Sequence, residues 1–131
     1  MQRIVLKPEG VAPPGGQYSH GVVIDGSTRT LYVAGQVGFD ETGELVGRGD
    51  PAAQAAQALE NMTRIVEAAG GRMADVAKTT VFLVDLEHRG PVGAVRSRFF
   101  PTDPPANTLL VVSSLAEPDI LVEIEAIVPL P

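Results

Sequence analysis

Two glutamates near the end of the chain, Glu123 and Glu125, have the residue type and spacing for acid–base chemistry. They are two positions apart in Ile120–Val128, where apolar and acidic residues alternate as in a β-strand. Residues i and i+2 of a strand point to the same face, so the two carboxyl groups would lie roughly 7 Å apart. Two interpretations are open: solvated or salt-bridged carboxylates on a sheet, or one carboxylate that lines a cleft as a general base or water holder.

Three further polar side chains lie in segments that contain glycine or proline, and they could contact a ligand. Tyr18 follows two glycines in a predicted loop and offers a hydroxyl group. Gln36 follows Ala34 and Gly35 at the end of a predicted strand, where a glycine permits close approach of a ligand or another strand. Asn107 follows a Pro-Ala dipeptide and offers an amide. Each also has a plain structural interpretation, as a surface-loop tyrosine, a strand exit and a turn residue.

Composition excludes several classes of function. The net charge of −6 argues against a nucleic-acid partner, because such proteins carry a basic surface. The absence of cysteine excludes disulfides, thiolate metal sites and a thiol nucleophile. Two histidines do not make a histidine-rich zinc site, and no nucleotide-binding or calcium-binding motif is present, so we expect no metal and no cofactor. No apolar run is long enough to span a membrane and no signal peptide is recognisable, so we expect a cytoplasmic protein with no membrane partner.

The elements that would position these side chains follow the order β-β-β-α-β-α-β-β. The longer helix is predicted to start at Asp50, a good N-cap, with Pro51 in the first helical position, and to end before two glycines. A four-residue turn around Gly26 predicts a hairpin between the second and third strands. The predicted strands are Gln2–Lys7, Gly21–Ile24, Thr30–Ala34, Val76–Val84, Thr108–Val112 and Ile120–Val128, and the helices are Pro51–Ala69 and Pro91–Phe100.

This order predicts an α+β domain over residues 1–131, with both helices on one face of the sheet. In the last strand, Val122, Ile124, Ala126 and Val128 would lie under the helices, and Leu121, Glu123, Glu125 and Ile127 would point the other way. The second set mixes apolar and acidic residues, which suits a face buried against another subunit. We therefore expect an oligomer.

Several segments together resemble the RidA family, also called YjgF/YER057c or L-PSP. They are Tyr18–Gln36, Asn61–Gly70, Val76–Leu86, Phe99-Phe100-Pro101, Pro105-Ala106 and Val122–Ile127, in this order along nearly the whole chain. The resemblance implies a chorismate-mutase-like α+β fold with a mixed six-stranded sheet and two helices on one face. It also implies a homotrimer with small-molecule clefts between the subunits.

Family members with deaminase activity hydrolyse reactive enamines and imines, such as 2-aminoacrylate, to a 2-oxo acid and ammonia. By resemblance, Glu123 matches the glutamate that positions the water, and Tyr18 matches the tyrosine that lines the cleft. Gln36, Ala34, Gly35 and Asn107 would complete the binding surface.

The chain departs from the family pattern at the residue that normally binds the substrate carboxylate. The family has an arginine after the Pro-Ala dipeptide, where this chain has Asn107. An asparagine cannot replace a bidentate, charge-assisted pair, so the ligand is expected to be neutral, amide-like or weakly held. Arg96 and Arg98 fall on the second helix and Arg89 in a turn; one of them could reach a cleft between subunits, but the sequence does not place it.

Three functions follow as hypotheses. The first is an enamine or imine deaminase with an altered substrate range. The second is a non-catalytic trimer that binds or senses a metabolite. The third, endoribonuclease activity, is disfavoured because the chain is acidic and lacks paired histidines or a lysine–histidine cluster.

Overall fold

Two sheets and two helices make up the fold, which a computed structural model describes for residues 1–131. The strands are β1 Gln2–Leu6, β2 Gly21–Asp25, β3 Arg29–Gln36, β4 Lys78–Leu83, β5 Ala106–Val111 and β6 Val122–Leu130; the helices are α1 Pro51–Ala68 and α2 Arg89–Phe99. The main sheet has the order β3-β6-β4-β5, in which β5 runs parallel to β4 and the other neighbours are antiparallel. The α+β class with a mixed sheet is as predicted. Neither α-helix is long and apolar enough to cross a lipid bilayer.

The strand count of the sheet differs from the prediction, because four strands form the main sheet and β1 and β2 form a separate pair. The predicted hairpin between β2 and β3 is wrong: β2 pairs antiparallel with β1 instead. The turn at Gly26 (φ 72°) leads β3 to the main sheet, where the Ser27 hydroxyl donates to the carbonyl of Leu130 at the end of β6 (3.0 Å). Alternating β-branched residues predict an extended segment, but not its partner strand.

Helix α1 forms as predicted and covers one face of the main sheet. The Asp50 side chain accepts a hydrogen bond from the backbone N–H of Ala53 (3.1 Å), and Pro51 occupies the first turn. The small side chains of Ala55 and Ala58 are fully buried, which lets the helix pack closely. The chain leaves the helix through Gly70, at φ 85°.

The two faces of the main sheet differ as β6 predicts. Its residues Val122, Ile124, Ala126 and Val128 are buried under the helices, on what we call the helix face. The opposite surface, which we call the open face, leaves three large side chains uncovered within this chain. Tyr32, Leu110 and Ile127 are 74%, 42% and 39% exposed.

Candidate functional site

A cavity of about 650 Å³ lies between α2, the loop before β2 and the strands β4 and β5. We call it the β5–α2 cavity. It contains two of the predicted site residues, Tyr18 and Asn107, together with two arginines. The full lining is Gly15, Gly16, Gln17, Tyr18, Val81, Arg89, Gly90, Val92, Gly93, Arg96, Ser97, Asn107 and Leu109.

Asn107 is a strand residue, because β5 begins two positions earlier than predicted. This excludes the interpretation of Asn107 as a turn residue. It lies opposite Thr79 of β4, and Thr79 in turn lies opposite the buried Ala126. Paired residues on neighbouring strands share a face, so Asn107 points to the helix face. The Thr79 hydroxyl donates to Asn107 Oδ1 over 2.8 Å.

Tyr18 is placed by hydrogen bonds on both sides of its loop. The backbone N–H of Ser19 donates to the carbonyl of Pro105, just before β5 (3.1 Å). The Gln17 amide donates to the carbonyl of Phe100 at the end of α2 (3.3 Å). These contacts hold the half-buried Tyr18 at the cavity wall, with its ring edge-on to His20 at 5.7 Å between centroids.

Arg96 brings a buried positive charge to the cavity. The residue is only 5% exposed. Its Nη2 donates to the Thr79 hydroxyl over 2.9 Å, and its Nη1 donates to the carbonyl of Gln17. Its guanidinium carbon lies 5.2 Å from the centre of the Phe100 ring, within reach of a cation–π interaction. Nε is buried and has no hydrogen-bond partner.

This charge has no acidic partner in the chain. Burial lowers the pKa of Arg96 to about 10, so the side chain stays protonated at neutral pH. The two ion pairs of the chain, Arg48–Asp119 and Arg72–Asp75, lie elsewhere. The sequence left open which of the three arginines near α2 reaches a cleft, and Arg96 lines the cavity that also contains Asn107. The exposed Arg89 adds a second cation to the cavity lining.

The other predicted site residues form a second group, where β3 and β6 meet. The β3–β6 pairing is irregular between Val33 and Gln36, and Gly35 lies in that irregularity. The Glu123 side chain lies against Gly35, so closely that a Cβ on Gly35 would come 2.6 Å from Glu123 Cδ. The Gln36 side-chain amide donates to the carbonyl of Ala34 over 3.0 Å.

The two groups lie on opposite faces of the main sheet. Glu123 pairs with Phe82 and Phe82 with Leu110, so Glu123 is two strands across and three residues along from Asn107. Strand spacing and rise place their Cα atoms about 14 Å apart. Glu123 also points to the open face and Asn107 to the helix face. One chain therefore does not bring the two side chains to the same small ligand.

Sequence reasoning left out Thr79 and left Arg96 unplaced. The sequence does contain a signal for the position of Arg96, which follows the buried Val92 by four residues and precedes the buried Phe100 by four. Residues four apart share a helix face, so this spacing puts the arginine on the buried side of α2. No group of three or more histidine and carboxylate side chains comes together that could hold a metal ion.

Comparison with known proteins gives consistent matches. The family model described as Endoribonuclease L-PSP matches residues 9–130. The YyfB protein of Yersinia pestis, a structure described as a protein of unknown function of the conserved Rid family, is 36% identical, with a TM-score of 0.89 over 99% of this chain and 100% of that one. RidA from the Antarctic bacterium Psychrobacter sp. is 35% identical, with a TM-score of 0.72 over 97% and 99%. A YjgF/YER057c/UK114 family member from Mycobacterium tuberculosis is 27% identical, with a TM-score of 0.68 over 98% and 100%.

Proposed function

Because the chain belongs to the Rid family, also described as the L-PSP family, we propose that it hydrolyses small imines or enamines in a cleft formed between two copies of itself. The observation that carries the proposal is the separation of the two groups of site residues. Tyr18 and Asn107 line a cavity on the helix face, and Glu123 lies against Gly35 on the other side of the sheet. A second copy that presents its Glu123 to the cavity would complete the site.

The open face supports association of copies. It exposes Tyr32, Leu110 and Ile127 around the central strands of the main sheet. Burial of such side chains against another copy contributes about 25 cal/mol for each Å² of apolar surface removed from water. We propose a homotrimer, the assembly that the family resemblance implies, and a cytoplasmic location.

Glu123 is the better placed of the two glutamates for catalysis. It is half-buried beside the Gly35 backbone, and it takes part in neither of the chain's ion pairs. Glu125 is exposed. A carboxylate without a cationic partner remains free to accept a hydrogen bond from a water molecule and orient it for attack.

The proposed reaction needs only water. An enamine first becomes its imine by moving a proton from nitrogen to carbon. The water held by Glu123 then adds to the imine carbon, and its proton goes to the nitrogen. The hydroxyl proton of the resulting tetrahedral carbinolamine then moves to the nitrogen and the C–N bond breaks, which releases ammonia and leaves a carbonyl compound.

The test is ammonia release from 2-aminoacrylate generated in situ by a separate enzyme, with the rate compared to the same mixture without this protein. We expect acceleration by the wild type and a loss of at least tenfold in Glu123→Gln, because one positioned general base contributes roughly 10²–10⁴-fold. Glu125→Gln is the matched control, since it removes a carboxylate from the same face of the same strand. Equal rates for the wild type and Glu123→Gln would contradict the proposal.

If the wild type does not accelerate ammonia release, the metabolite-binding hypothesis remains. It predicts a ligand that raises the melting temperature of the protein and is recovered unchanged.

The family description names endoribonuclease activity, which we do not propose for this chain. Its net charge of −6 is unfavourable for an RNA partner. RNA cleavage by nuclease-free protein that Glu123→Ala abolishes would reverse this choice.

A further inference from the structure

We propose that Arg96, which α2 carries into the β5–α2 cavity, binds the carboxylate of an anionic ligand there. This inference rests on the proposed function and names the residue that would give the same site a preference for an acid. The ligand would then carry a carboxylate, unlike the neutral ligand that Asn107 by itself suggests. The cation would come from α2, whereas the family arginine corresponds to the position of Asn107 on β5.

The first argument is charge. A buried ion is costly unless an opposite charge or a full set of hydrogen bonds compensates it. The thirteen residues that line the cavity include no aspartate or glutamate. Neither ion pair of the chain involves Arg96. An anion from outside the chain would supply the missing counter-charge, and Arg96 lines the cavity that such an anion would enter.

The second argument is geometry. A guanidinium has five N–H groups, of which Arg96 uses one toward Thr79 and one toward Gln17. The Nε–H is buried without a partner. Nε–H and a neighbouring Nη–H form one edge of the guanidinium fork, which matches the two oxygens of a carboxylate. The contacts to Thr79 and Gln17 hold the fork in place before a ligand arrives, which lowers the entropic cost of binding.

The third argument is room. Gly90 and Gly93 of α2 line the same cavity, and a Cβ at either position would meet no atom within 4 Å. Glycine in a helix is less favourable than alanine by roughly 1 kcal/mol, so two glycines on this wall lower helix stability while they leave space beside the arginine. The exposed Arg89 adds positive potential that would attract an acid.

The experiment compares two probes of nearly the same shape, the anion 2-oxobutanoate and its neutral carboxamide, 2-oxobutanamide. Their dissociation constants are measured by NMR titration of the full-length protein. We expect the wild type to bind the acid about ten- to a hundredfold more tightly than the amide, the range of one charge-assisted carboxylate pair. Arg96→Gln should abolish this preference. Arg98→Gln, which removes an exposed arginine from the same helix, should keep it.

A second variant tests the proposal without removing Arg96, in case Arg96→Gln does not fold. Asn107→Asp keeps the side-chain shape and leaves Arg96 intact, but it puts a carboxylate on the Thr79 hydroxyl that Arg96 also contacts. We expect this internal anion to lower the affinity for the acid at least tenfold more than the affinity for the amide, so that the preference for the acid falls even though Asn107 itself lines the cavity. Equal affinities of the wild type for both probes would overturn the proposal.

Light scattering on the same samples separates a ligand site from an ion pair between copies. If Arg96→Gln dissociates the assembly while the preference for the acid persists, Arg96 pairs with a partner's carboxylate and the proposal is wrong. The readouts also separate this inference from the proposed hydrolysis. A protein that prefers the acid through Arg96 but releases no ammonia contradicts only the hydrolysis. A protein that releases ammonia but binds both probes equally contradicts only the role of Arg96.

Discussion

The carboxylate of Glu123 occupies the space that a side chain at position 35 would need, so Gly35 is the residue that permits its placement. The backbone of Gly35 is outside the left-handed region, since Gly35 is not among the glycines with positive φ. An alanine is therefore compatible with the backbone conformation there, and the three atoms nearest to its Cβ would all belong to the Glu123 side chain. This relationship gives the first prediction.

Gly35→Ala should lower the free energy of unfolding in the wild type, because the new methyl group meets Glu123. In a Glu123→Ala background the same substitution should be neutral or stabilising by up to about 1 kcal/mol, the usual gain from restricting the unfolded chain. Urea denaturation of the four proteins measures this change of sign. The single variant should also lose ammonia release, since its carboxylate is displaced. An equal effect in both backgrounds would show that the two residues are not coupled.

Thr79→Val should destabilise the protein by about 1–3 kcal/mol. The substitution keeps the side-chain shape but removes a hydroxyl that donates to Asn107 and accepts from Arg96, leaving a buried guanidinium and a half-buried amide each short of a partner. Chemical denaturation at one fixed protein concentration measures the loss. Thr80→Val is the matched control, because Thr80 is half-buried on the opposite face. Similar losses in both variants would contradict the importance of this hydroxyl.

Asn107→Arg should not increase the affinity for an acid by itself, but it should support acid binding when Arg96 is removed at the same time. Alone, it places a second guanidinium next to the buried Arg96, and like charges in a site of low dielectric repel. We expect a lower melting temperature and no gain in acid affinity. Asn107→Arg combined with Arg96→Gln moves the charge from α2 to β5 and should restore preference for 2-oxobutanoate over its amide. A stable single variant with higher acid affinity would contradict the crowding of the two charges.

Ile127→Glu should dissociate the proposed homotrimer. Ile127 lies on the open face, and a carboxylate there would have to be buried without a partner in the assembly. Light scattering should give three times the 13.7 kDa chain mass for the wild type and a smaller mass for the variant. Leu86→Glu is the control, because Leu86 is also an exposed large apolar side chain but lies in the turn before α2. A monomeric wild type would contradict the proposed assembly.

The turn after β3 predicts a dependence of stability on pH. Hydrogen bonds from the Thr42 hydroxyl, the Glu44 N–H and the Thr42 N–H hold the pKa of Asp40 below its ordinary value of 3.8. A carboxyl whose pKa is lower in the folded state stabilises the fold above its unfolded-state pKa and loses that contribution as the pH falls through the folded value. Asp40→Asn should therefore have a lower melting temperature than the wild type at pH 7, and the difference should shrink at pH 3 and below. A difference that does not depend on pH would assign the effect to something other than ionisation.

Local pattern was sufficient for most elements. The Asp50-Pro51 start of α1 and the glycine that follows its end could be predicted because a cap acts within one turn of helix. The two faces of β6 could be predicted because its side chains alternate strictly. The predicted start of α2 at Pro91 is wrong, because the helix begins at Arg89. Proline is tolerated throughout the first turn, where N–H groups have no helical partner, so it does not mark the first residue.

The candidate site was predicted less completely. Tyr18 and Asn107 do share a cavity, and Gly35 does lie against Glu123, but the sequence did not show that these pairs face opposite sides of the sheet. It also treated three arginines near α2 alike, although only Arg96 is buried. The orientation of α2 against β4 and β5 determines which of these arginines enters a cavity. This orientation depends on contacts between residues far apart in the chain.

The sequence alone therefore determined the class of fold, the main helix and the two faces of the last strand, because hydrophobic period and capping are properties of a few neighbouring residues. Only the tertiary structure decided that β2 pairs with β1, that Asn107 belongs to a strand, and that Arg96 is buried beside Thr79. Strand partners and the environment of a charge depend on contacts between distant segments, and local propensity leaves several such arrangements open.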